Sequence, residues 1–159
     1  MHIVVVSLIL TLFGSSALAA PADVRVLIDS KLQTKAQTTL GTGDIERLAK
    51  QLERSVVREL DRTGVLAGAR VELVLMDAVP SRPTFKQLSN RPGLSMQSFG
   101  LGGATIEGRS IAVDGTITPI RYAWYESDIE QAPYRVTWSD ADTAVDRFAR
   151  RLARGHSQD

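Results

Sequence analysis

The sequence predicts an α+β domain, a single mainly antiparallel sheet of about four strands with two amphipathic helices packed on one face. Three observations predict it. Apolar residues recur at spacings of three and four over Ile45 to Leu60 and again over Ala141 to Leu152, the helical signature. Two β-prone runs, Val24 to Asp29 and Ala69 to Val79, flank the first of these helices. An Asp114-Gly115 pair separates two further β-prone runs, which is a hairpin signal. The order is β-α-β-β-β-α, the middle strands joined by a long loop. One sheet with a helical layer is the simplest way to bury both helical stripes.

The chain opens with "IVVVSLILTLF", Ile3 to Phe13, then "GSS" and "ALA". An apolar stretch followed by small residues at a cleavage site is a secretory signal, assigned to residues 1–19. The stretch is too short to span a bilayer comfortably. Cleavage after Ala19 leaves about 140 residues, one domain with one core, assigned to residues 20–155 with a tail at 156–159. With no cysteine, the mature chain forms no disulfide and takes no lipid on a thiol. The expectation is a periplasmic or secreted protein without a transmembrane segment in its mature form.

Val24, Val26 and Ile28 alternate with Arg25 and Leu27 in the first strand. Ser30 to about Thr42 reads as a polar, Gln- and Thr-rich connection. The first helix starts at Asp44, carries Ile45, Leu48, Leu52, Val56 and Leu60 on one face, and stops at Gly64. In the second strand Val71, Leu73 and Leu75 share a face opposite Val74 and Met76, as expected of a central strand. Ser81 to Gln97 is polar and turn-rich, a long loop. The last helix opens at "WSDAD", with Ser139 as N-cap and Asp142 at the third helical position.

In the hairpin, pairing outward from Val113 and Thr116 sets Ser110 opposite Pro119, which marks Thr116 to Tyr125 as an edge strand. That register creates a conflict. Ala104, Ile106 and Ala112 form one apolar face, level with Ile117, Ala123 and Tyr125. The bulkier set, Ile120, Tyr122 and Trp124, then points the other way. Either a bulge near Gly108 or Pro119 shifts the phase, or one aromatic face stays outside the core. We take the second as the expectation. It makes Tyr122 and Trp124, with Glu107 and Arg109, an exposed patch for a ligand or partner.

The two histidines, His2 and His156, fall in the leader and the tail, so Ser-His, Cys-His and His-zinc chemistries are not expected. Nineteen basic and eighteen acidic residues nearly cancel, giving no net field toward nucleic acid or a membrane. The glycine cluster "SFGLGGATIEG", Ser98 to Gly108, lacks the Lys of a phosphate loop and the last glycine of a dinucleotide turn, and a strand follows it. It reads as a bulge or a close backbone approach, not a nucleotide site. Glu126 and Asp128 stand one residue apart and share a face in extended chain, a candidate acid/base pair. Asp140, Asp142 and Asp146 lack the glycine and bidentate Glu of a calcium loop, so no metal is expected. Arg147, Arg150, Arg151 and Arg154 read as a solvated face at the negative end of the helix dipole. Tyr122, Trp124, Tyr125, Tyr134 and Trp138 form the densest aromatic cluster.

A helix ending at Gly64, the strand "VELVLMDAV", a hairpin and the closing "ADTAVDRFARRLA" resemble exported bacterial domains of unknown function. In layout they are similar to periplasmic envelope accessory domains such as the N-terminal domain of the Tol-system translocation protein. The resemblance implies an envelope role and carries no site residue. The functional expectation is a non-enzymatic binding or accessory domain, without cofactor, whose partner is an envelope protein or glycan. The alternative is a small carboxylate-dependent hydrolase centred on Glu126 and Asp128.

Overall fold

The computed structural model describes residues 22–157; the expected leader at 1–19 lies outside them. Strand β1 (Asp23–Ile28) leads into helix α1 (Ser30–Lys35), a π-helical turn (Ala36–Leu40) and helix α2 (Thr42–Thr63). Strand β2 (Arg70–Val79), helix α3 (Phe85–Asn90), strands β3 (Gly103–Ile111) and β4 (Ile117–Tyr125), a 3₁₀ turn (Ile129–Tyr134) and helix α4 (Ser139–Leu152) follow. The strands lie in sequence order, β1 parallel to β2 and the other neighbours antiparallel. This is the expected α+β sheet with helices packed on it.

The connection from Ser30 to Thr42, expected to be irregular, is helical. Asp29 caps α1 by accepting the Lys31 N–H at 2.8 Å. Thr34, Thr38 and Thr39 donate their hydroxyls back to the carbonyls of Ser30, Thr34 and Lys35. Leu32, Ala36 and Leu40, four apart, reach the core. The long loop likewise contains α3, held by a capping box in which Thr84 and Gln87 satisfy each other's backbone amides. Helix α2 begins at Thr42 rather than Asp44 and ends, as expected, on Gly64 in the left-handed region.

The core lies between the helices and one sheet face. Ile45, Leu48, Leu52, Val56 and Leu60 of α2 meet Ala141, Ala144, Val145, Phe148 and Leu152 of α4 over Val71, Leu73, Leu75 and Ile106. Ser55 of α2 donates to Asp146 of α4 at 3.1 Å. Arg47 pairs with Asp142, whose carboxyl burial pushes above the usual range. A bulge between Leu75 and Asp77 shifts β2 by one residue, so that Ala78 continues the buried face.

The hairpin resolves the phase conflict at its tip. The Ala112 N–H donates to the Thr116 carbonyl at 2.9 Å and the Gly115 N–H to the Ala112 carbonyl at 2.9 Å, with Gly115 at φ +86°. The loop is therefore three residues, Val113 to Gly115, a turn followed by a glycine bulge, and not the two-residue turn expected. Ile111 pairs with Ile117 and Ser110 with Thr118, one residue away from the expected register. That single step brings Ile106 level with Tyr122, and Ala104 level with Trp124, on the helix side of the sheet. Strand β4 is an edge strand, as expected. The Arg121 N–H points away from β3 and donates to the Ser157 carbonyl, so the start of the C-terminal tail covers part of that edge. Pro119, two residues earlier, directs its missing donor the same way.

Candidate functional site

The loops after β2 and β4, the start of β3 and the N-terminus of α4 meet at one end of the sheet, and the candidate carboxylates lie there. Glu126 follows β4 directly. Its Oε1 accepts the Ser127 and Asp128 N–H groups at 2.9 and 3.1 Å, and its Oε2 accepts Arg135 Nη2 at 2.9 Å. The Asp128 and Ser127 amides, then the Arg135 charge, hold the Glu126 carboxyl below its ordinary range. A carboxylate so held is the wrong form for a general acid at neutral pH. Asp128 accepts the Glu130 N–H at 2.9 Å and so starts the 3₁₀ turn. The two residues act on their own loop instead of converging on a shared point. Among the described residues no group of three or more His, Cys, Asp or Glu is placed to hold a metal.

Beneath Glu126 lies a buried knot that sequence reasoning missed. The carboxylate of Asp140, in the first turn of α4, is fully buried and accepts the Gly102 N–H at 3.0 Å. Arg135 Nε stands 3.5 Å from it, so one guanidinium joins Asp140 and Glu126. The Asp140 N–H donates to Ser81 Oγ at 3.2 Å. The cap of α4 therefore comes from the loop after β2. Ser139, the expected N-cap, accepts the Val136 N–H at 2.8 Å instead. Arg82 closes the assembly by donating to the carbonyls of Met96, Pro133 and Arg135, which ties both loops together. The glycine cluster serves this packing. A Cβ on Gly102 would lie 2.6 Å from the Val79 carbonyl oxygen, and one on Gly103 would strike the Trp124 carbonyl. These glycines permit close backbone approach.

The expected patch of Tyr122, Trp124, Glu107 and Arg109 does not form, and this corrects the sequence reading. Tyr122 is 7% exposed, its ring 5.5 Å from that of Phe148. Trp124 is half-buried on the same face, and Arg147 of the basic stripe stacks 4.4 Å from its ring centre. Glu107 and Arg109 lie on the opposite face, which none of the described elements covers. The cause is the one-residue register step at Gly115. Of the remaining clustered aromatics, Trp138 is buried, Tyr134 is exposed, and Tyr125 shares its hydroxyl with Thr105 and Asp77 on the open face.

That open face is a broad depression of about 640 Å³ crossing three strands. Leu27, Val74 and Met76 supply its apolar floor, and Arg25, Glu107 and the Arg109–Glu72 ion pair (2.7 Å) line it with charge. The Arg109 guanidinium holds the Glu72 carboxyl below its ordinary range. Comparisons with family models, with curated proteins and with solved structures find no match to this chain.

Proposed function

We propose that this chain is an exported, non-enzymatic binding domain of the cell envelope, and that it engages an envelope protein or glycan through the uncovered face of its sheet. The observation that carries the proposal is the asymmetry of the sheet. Helices α2 and α4 cover one face, while the other displays Leu27 at 69% exposure among paired charges. Apolar groups framed by charged ones are the composition of a recognition surface. The commitment of Glu126 and Asp128 to their own loop weighs against the hydrolase alternative.

Two experiments test it. Replacing Leu27 by the photo-reactive benzoyl-phenylalanine should give a discrete cross-linked product in intact cells, and the same replacement at Arg54, exposed on α2, should give none. No product from position 27, or the same product from both, removes the reading. Export itself predicts a mature N-terminus at Ala20, read by mass spectrometry of the purified protein. An intact Met1 on cytoplasmic protein refutes it.

A further inference from the structure

A second surface differs in chemistry from the open face. We propose that the loop end of the sheet is a membrane-docking tip that seats on the surface of a bilayer containing anionic lipid. Phe85, Met96, Phe99 and Leu101 on the first loop, and Tyr134 and Val136 on the second, are all exposed at this end. Phe85 and Tyr134 are the extremes, at 80% and 84%. They are not loose ends of chain. The capping box of α3 fixes the start of the helix that carries Phe85. Arg82 bonds the carbonyls of Met96 and Pro133, so a single guanidinium holds the two loops side by side.

Charge selects the occupant. Between Asp77 and Glu107 the sequence contains no acid and three cations, Arg82, Lys86 and Arg91. Lys86 and Arg91 are exposed and make no ion pair among the described residues, and Arg82 bonds only neutral carbonyls. Aromatic and long apolar side chains beside basic ones are the composition that partitions into an anionic headgroup layer. The second loop carries Glu126, Asp128 and Glu130, all before Tyr134. Arg135 stands between Glu126 and Asp140, and Asp128 and Glu130 are exposed, so the cationic contacts come from the first loop. The rings project separately from two loops, so a fluid interface accommodates each on its own, whereas a protein partner must match their spacing. Among the described residues no helix is long and apolar enough to cross a membrane. The tip lies at the opposite end of the sheet from the hairpin turn and from Asp23, where β1 begins.

The test is cosedimentation of the protein, purified as the cell produces it, with phosphatidylcholine vesicles with and without phosphatidylglycerol. We expect binding to the anionic vesicles and release from them by raised salt. Lys86→Glu with Arg91→Glu should weaken binding about tenfold or more, as should Phe85→Ser with Phe99→Ser. Leu27→Ser, on the open face, should not change it. All these side chains are exposed, and far-UV circular dichroism confirms that each variant is folded. Failure of the unmodified protein to sediment with anionic vesicles overturns the proposal. So does binding indifferent to salt and to both double variants, or loss with Leu27→Ser as large as theirs. A photo-reactive residue at Phe85 that captures a discrete protein while vesicles capture nothing would assign the tip to a protein partner instead.

Discussion

Replacing Tyr122 and Trp124 separately by alanine decides whether these aromatics belong to the core or to a surface. The structure assigns the two neighbours different fates on one face. Tyr122 is 7% exposed and its ring meets Phe148 at 46°. Truncating a buried aromatic costs about 3–5 kcal/mol, transfer and cavity terms together. The lost ring pair accounts for about 0.5–1.5 kcal/mol of that. Tyr122→Ala should therefore lower the melting temperature by about 10 °C or more for a domain of this size. Trp124 is only half-buried, and its specific partner is Arg147 at 4.4 Å. A cation–π contact near the surface contributes about 0.5–1 kcal/mol, so with partial burial Trp124→Ala should cost about 1–2 kcal/mol. Urea titration is the assay, with the midpoint moving and the slope held constant as the sign that stability alone has changed. A Tyr122→Ala variant within about 1 kcal/mol of the parent would refute the placement of this ring in the core, and with it the register step at Gly115.

Three other outcomes follow from the same geometry. Asp140→Ala leaves the Gly102 N–H unpaired and removes one of the two carboxylates on Arg135, and should cost about 3 kcal/mol in urea titration. Asp140→Asn keeps an acceptor for Gly102, and its loss should be clearly smaller. Gly108→Ala sets a Cβ against the Glu72 carbonyl oxygen in the middle of the sheet, and should cost about 1–3 kcal/mol by the same assay. Glu126 has a folded pKa below its unfolded value, so its contribution is complete above the unfolded value and is lost as pH falls through the folded one. Glu126→Gln should therefore be least stable relative to the parent near neutral pH, the gap closing on acidification. A gap that widens in acid refutes that assignment.

How much of this was legible in the sequence depends on the range of the interactions involved. The two long helices were legible because their stripes repeat locally, and Gly64 marks a stop that its φ of +70° requires. The helical turn from Ala36 to Leu40 was hidden because its apolar residues are few and four apart, with threonines between them that bond back to the backbone. The knot at Asp140 was beyond reach for another reason. Its bonds to Gly102 and Ser81 span 38 and 59 residues, so no local pattern announces them.

The hairpin is the instructive case, because its position was legible and its register was not. A glycine at positive φ after an aspartate suits a two-residue turn, and it suits equally a three-residue turn closed by a glycine bulge. The dipeptide cannot choose between them. Yet the choice moves every side chain of one strand to the other face of the sheet. The side chains themselves contained the answer. With the two-residue loop, Ile106 and Tyr122 point to opposite faces, and one of two apolar sets must face water. With the three-residue loop they stand level and both are buried. Leaving Ile120, Tyr122 and half of Trp124 exposed costs several kcal/mol of burial, at about 1.5–3 kcal/mol per large side chain. An added loop residue costs on the order of 1 kcal/mol of chain entropy. That inequality, not the turn dipeptide, sets the register. A phase conflict between two strands of a predicted hairpin is thus better evidence for a longer turn than for an exposed aromatic face.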